Sequence, residues 1–219
     1  MTHPIAKALE EAAEKIGMRL SKEAGQAVAD MYEQAGQGTA KVVKHIVEAD
    51  LAHQRELIKL AQRVGKNDGM IGPGARARVV RQAEARTRLA GHFGVRADYD
   101  AEIVVDRARF PESARHIEEA QQGTIWRGDR SQPGRPKPSI LTIDKDEAHA
   151  DANRADSLRG IATRPPDDRD EYPPAMYREG GKGASVKYIP SSDNQGSGSS
   201  MGSAVRGLWD GARVRIRVR

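Results

Sequence analysis

Large apolar side chains are scarce in this sequence, and that limits how much of it one core can hold together. Hydrophobic residues make up 37% of the 219 positions and aromatic residues only 4%, both low for a compact protein. A single well-packed core over the full length is not expected. The composition predicts a modest folded domain joined to a helical remainder.

The chain has no cysteine. Disulfide stapling, thiolate metal sites and a cysteine nucleophile are excluded, so any metal must be held by Asp, Glu, His, Asn or backbone oxygen. Lys and Arg number 36 against 31 Asp and Glu, a net charge of +5. The excess is mild, but its placement is informative. Residues 212–219 carry four arginines and no acid, a patch that attracts polyanions by counterion release. No window approaches the roughly 18 apolar residues of a membrane span. The start, Met1-Thr2-His3-Pro4, lacks a basic head followed by an apolar run. The expectation is a chain that is cytoplasmic as encoded, or delivered by a route other than Sec.

Apolar residues recur at three- and four-residue steps over residues 4–35, 39–64 and 74–93 and predict three helices. The Asn67-Asp68-Gly69 turn separates the second from the third. These could form a hairpin, a coiled coil or a stalk. Composition shifts near residues 94–99. Beyond it, residues 101–105, 139–143 and 184–189 read as strands and residues 113–122 and 148–158 as helices. Residues 128–138 read as a surface loop. The Ser/Gly run over 191–203 has linker composition, with a helix considered only from Met201 to Trp209. The last seven residues alternate arginine with valine or isoleucine, as a half-buried strand with one basic face does. The expected fold class is α+β: a small mixed domain over residues 96–219 preceded by an all-helical region over residues 1–95.

One stretch concentrates acids, glycines and hydroxyls with little for a core. It contains Asp168-Arg169-Asp170-Glu171-Tyr172-Pro173, then Glu179-Gly180-Gly181-Lys182-Gly183-Ala184-Ser185-Val186, then Ser192-Asp193-Asn194 with Gly196 and Gly198. These residue types hold a hard cation and a phosphate. The three ordered blocks resemble the signature of the NucA/NucB deoxyribonucleases. Weaker similarities, among them Phe110-Pro111, His116-Ile117 and Arg154 followed by Ser157-Leu158, extend the resemblance over residues 99–219. Members of the family carry cysteines where this chain has Leu141 and Tyr177. Residues 124–138 resemble an insertion, and Ser199–Ser203 departs from the family's more aromatic pattern.

The resemblance implies a metal-dependent endonuclease that hydrolyses phosphodiester bonds. Such chemistry needs a cation to polarise the phosphate, a base, and groups that neutralise developing charge. Magnesium or manganese suits a site of oxygen ligands. The expected metal ligands are Asp170, Asp168 and Glu179, and the catalytic candidates are Asp170, Glu171, His116 and Glu179. Expected substrate contacts are Arg169, Lys182, Gly181, Asn194 and Arg154. Asp168 and Asp170 share one side if the segment is extended, with Glu171 on the other. Asp193 could orient a water or cap a turn.

DNA is the expected partner, contacted through its backbone with little base specificity, since no base-reading motif is present. The joining of such a module to an unrelated helical region suggests a bacterial toxin, with an immunity protein as a second partner. The rival readings are a non-catalytic DNA-binding protein that keeps the fold, and a ribonuclease.

Overall fold

The computed structural model describes residues 38–67, 73–92 and 94–219, together with Gln26. Apart from Gln26, the helix expected over residues 4–35 lies outside the described residues, as do Asp68 and Gly69 of the expected turn. The described chain divides into two compact units, one reaching to Asp100 and the other spanning Ala101–Arg219.

The first unit is a pair of packed helices, α1 (Gly38–Asn67) and α2 (Pro73–His92). On α1, Leu51, Gln54 and Ile58 are buried at helical spacing, and Val80, Ala83 and Ala90 are buried on α2. Leu51, Ala90 and Val95 form one apolar cluster. Polar side chains share this small seam. Gln54 Nε2 donates to Thr87 Oγ1 at 3.1 Å, and that hydroxyl donates to Asp100 Oδ1 at 3.1 Å. Chaining donors to acceptors is what makes burial of such groups tolerable.

The second unit carries two sheets. In the first, β7 (Arg213–Val218) lies between β1 (Ala101–Val105), which runs parallel to it, and β4 (Ile140–Thr142), which runs antiparallel. Alternation dictates the faces of β7: Val214 and Ile216 are buried, and the arginines between them are more exposed. Burying each such side chain contributes roughly 1.5–3 kcal/mol.

The second sheet has the order β3-β2-β6-β5. Its strands are β2 (Thr124–Gly128), β3 (Arg130–Pro133), β5 (Asp167–Tyr172) and β6 (Ser185–Pro190). β5 and β6 pair antiparallel from Asp167↔Pro190 to Tyr172↔Ser185. The hairpin of β2 and β3 falls where a loop was expected. β3 reads Arg-Ser-Gln-Pro and is exposed at every position, so it carries no apolar alternation to announce a strand.

Three helices complete the unit: α3 (Pro111–Gln121), α4 (Glu147–Leu158) and α5 (Ser191–Val205). The largest departure from expectation is α5, which occupies the Ser/Gly run. Three glycines and six serines give it poor intrinsic propensity. Tertiary burial holds it instead, because Asp193, Ser197, Met201 and Val205 recur every fourth residue and form its buried face. Gly196 lets the helix approach Phe110 closely; a Cβ there would lie 2.7 Å from the Phe110 ring. Leu141 and Tyr177, at the positions where the family carries cysteines, are both fully buried.

Candidate active site

The site is built on β5, at one edge of its sheet, and on the first turn of α5, which follows β6 without a loop. A cleft of about 640 Å³ is lined by Asp167–Glu171 of β5, by Arg154 and Leu158 of α4, and by Asn194, Gly198 and Met201 of α5.

β5 is extended, so its side chains alternate. Asp168 meets the start of α5. Its Oδ1 accepts from Ser191 Oγ at 2.8 Å, and its Oδ2 accepts from Gln195 Nε2 at 3.1 Å and from Asn194 Nδ2 at 3.3 Å. The bond from Ser191, then those from Gln195 and Asn194, hold the carboxyl below the usual aspartate range. A helix N-terminus also favours negative charge. With the Asn194 amide nitrogen committed to Asp168, its amide oxygen is the atom left for a cation.

Asp170 sits two residues along and is 9% exposed. Its Oδ2 pairs with His116 Nδ1 at 2.7 Å. Glu171 faces the other way, towards α4. Ser157 Oγ donates to its Oε2, and Arg154 Nε lies 3.8 Å from its Oε1. Burial pushes the Glu171 carboxyl up, against the opposing effects of Ser157 and Arg154. Arg169 lines the cleft but donates from Nη1 to the Ile161 carbonyl at 2.8 Å.

Four expected site residues stand elsewhere. His116 is fully buried with both ring nitrogens paired, so it reaches neither solvent water nor a phosphate. Glu179 spends both carboxylate oxygens on Thr142, accepting from its backbone N–H at 2.7 Å and its hydroxyl at 2.8 Å. It is not among the residues of the cleft, and among the described residues no three of His, Asp and Glu cluster as metal ligands. The trio of Asp168, Asp170 and Glu179 is therefore not assembled; the cleft brings together the first two with Asn194. Lys182 lines a separate groove with Arg127 and Arg159. Gly181 has φ +86°, and a Cβ on it would lie 2.6 Å from Asn153 Oδ1, so turn geometry and packing account for that glycine. Asp193 serves the fold: its carboxylate takes the backbone N–H groups of Glu112 and Ser113.

Two site residues were missed from sequence. Ser191 and Gln195 join Asn194 around Asp168 only because residues 191, 194 and 195 share one helical face. That signal is invisible while no helix is assigned to the segment before Met201.

Comparison with known proteins identifies the family. Residues 132–216 match the family described as Deoxyribonuclease NucA/NucB, and the chain belongs to this family of deoxyribonucleases. A relative in Bacillus subtilis (strain 168), the DNA-entry nuclease, is 36% identical over 121 residues, covering 55% of this chain and 73% of that protein. Family membership favours an enzyme over a purely DNA-binding protein that keeps the fold.

Proposed function

We propose that the β5–α5 cleft hydrolyses DNA phosphodiester bonds with the help of a divalent cation. The observation that carries this reading is Asp168: an ionised carboxylate in an open cleft, fixed by the amides of Asn194 and Gln195 and by the Ser191 hydroxyl, which it shares with the Pro166 carbonyl. The donor set suits magnesium or manganese, since it consists of oxygen atoms only and is small enough to leave sites for water and phosphate. Asp168 and Asp170 would hold the cation together with the Asn194 amide oxygen. When bound, the cation would polarise the phosphate and lower the pKa of a water molecule.

The chain's own groups do the rest. The donors around Asp168 keep its carboxylate charged and oriented. Arg154, largely exposed at the cleft, meets the phosphate and offsets charge that builds on it. Contacts of this kind read the backbone and not the bases, so little sequence preference follows.

Plasmid DNA and a structured RNA, incubated in parallel with the purified chain and magnesium or manganese, test the reading. Nicking of DNA that EDTA abolishes is expected. Cleavage undiminished in EDTA overturns the metal requirement, and cleavage of RNA in preference to DNA overturns the substrate.

The helical unit ahead of the matched residues supports a finer reading, a toxin module carried by that unit and restrained by an immunity protein. Expression in a bacterial host would then be toxic, and D168A would relieve the toxicity.

A further inference from the structure

His116 is the one histidine the second unit seals inside itself. It belongs to α3, yet its ring joins two strands of the neighbouring sheet. Nδ1 lies 2.7 Å from Asp170 Oδ2 on β5, and Nε2 lies 2.8 Å from Ser185 Oγ on β6. Ser185, also fully buried, accepts the backbone N–H of Trp126 on β2 at 2.9 Å.

The protons on this path can be placed by counting. Ser185 Oγ already accepts one N–H and has one hydrogen to give. If Nε2 carried a proton, the hydroxyl would accept twice and its own hydrogen would have no recipient among the described residues. With Nε2 bare, every proton is used once: Trp126 N–H to Ser185, Ser185 O–H to Nε2, and Nδ1–H to Asp170. The ring is then a neutral donor to the carboxylate.

Asp170 is thereby held by one oxygen alone. Its Oδ1 has no hydrogen-bond partner among the described residues, is not sealed from solvent, and belongs to a residue of the cleft wall. We propose that His116 is a positioning residue for DNA cleavage. It never meets substrate; it clamps Oδ2 so that Oδ1 of Asp170 is presented to the cleft at a fixed angle. This assignment rests on the reading of the cleft given above. A buried donor of this kind acts on the chemical step by orienting a ligand or reacting group, and its loss commonly costs 10–100-fold in activity or metal affinity.

Two variants separate positioning from packing. H116N can place an amide N–H where Nδ1–H stands, whereas H116Q can reach Ser185 but withdraws the donor from Asp170. Both are compared with wild type for kcat, KM for plasmid DNA, manganese titration and Tm. Expected are a kcat or apparent metal affinity about 10–100-fold lower in H116Q, an unchanged KM for DNA, and substantial recovery in H116N at similar Tm. Equal losses in both variants, or losses that follow Tm, overturn the proposal. The wild-type protein supplies a check that needs no variant. Nitrogen-15 spectra of the imidazole should show His116 neutral and protonated on Nδ1, and a proton on Nε2 overturns it. A folded wild-type protein that cleaves no DNA with either metal overturns the reading of the cleft, and this assignment with it.

Discussion

Asp193 on α5 caps the N-terminus of α3 through Ser113: its Oδ1 accepts the Ser113 N–H at 3.1 Å, while Oδ2 accepts the Glu112 N–H at 2.9 Å. The helix that begins at Pro111 has no capping side chain of its own, so a residue 80 positions away satisfies two of its free donors. The carboxylate is 8% exposed. Removing it leaves buried N–H groups without partners, and D193A should cost about 1–2 kcal/mol. Urea denaturation checks this. A midpoint within error of wild type would show that the cap is dispensable.

Gly196 sets a packing effect against a propensity effect. Alanine in its place would raise helix propensity by about 1 kcal/mol, but its Cβ would meet the buried Phe110 ring at 2.7 Å. Overpacking of a filled site costs about 1–3 kcal/mol. The clash should win, so G196A is expected to lower Tm. G198A, with nothing within 4 Å of the new Cβ, should raise it or leave it unchanged. The pair of melting curves decides whether packing or propensity governs this helix.

Asp168 and Glu179 offer two carboxylates with opposite expected behaviour. D168N should lower kcat on plasmid DNA by 100-fold or more, by analogy with loss of one preorganised group at a reacting centre, with only a modest fall in Tm as the side chains at the start of α5 lose a charged acceptor. E179Q should leave kcat near wild type and lower stability by about 1–3 kcal/mol, since Thr142 loses a charged acceptor. Raising manganese concentration adds a further reading for D168N: recovery marks Asp168 as a ligand, and no recovery marks it as a proton acceptor.

Two acids of β5 should titrate with opposite signs. Burial raises the folded pKa of Glu171 above its ordinary 4.5, so its contribution to stability is full below 4.5 and is lost as pH rises through the higher folded value. Asp168 is lowered from 3.8; its contribution is full above 3.8 and is lost only as pH falls through the lower folded value. E171Q should therefore remove the stability gained on acidification towards pH 4.5 and leave the loss below pH 3.8. Chemical denaturation across pH 3–7 reads both, and an E171Q profile that parallels wild type would contradict the assignment.

How much was legible in the sequence depended on whether a segment's neighbours could be inferred from its own pattern. β1 was readable because it is short and rich in β-branched residues, β7 because alternation of Val and Ile with arginine is a local signal, and the start of α3 because proline and a first-turn acid mark it. α5 was not. Of its buried residues, Asp193 and Ser197 are polar and only Met201 and Val205 apolar, so its first half carries no hydrophobic periodicity. β3 was missed for the same reason.

The cleft followed the same division. Asp168 and Asp170 lie on one strand, and their relation follows from its alternation. Glu179 is only nine positions from Asp170 in sequence, yet the chain between them turns it onto Thr142. His116 was picked out by its chemistry, but its burial depends on three elements that meet only in the folded state.

The middle strand of the first sheet is synthesised after both of its neighbours. β1 and β4 have no neighbour in that sheet until β7 arrives to pair with both. A nascent chain still lacking residues 213–218 cannot complete the sheet on which its second unit depends. During translation, assembly of the hydrolytic unit would therefore wait for the ribosome to release this strand, and an incomplete translation product would be inert.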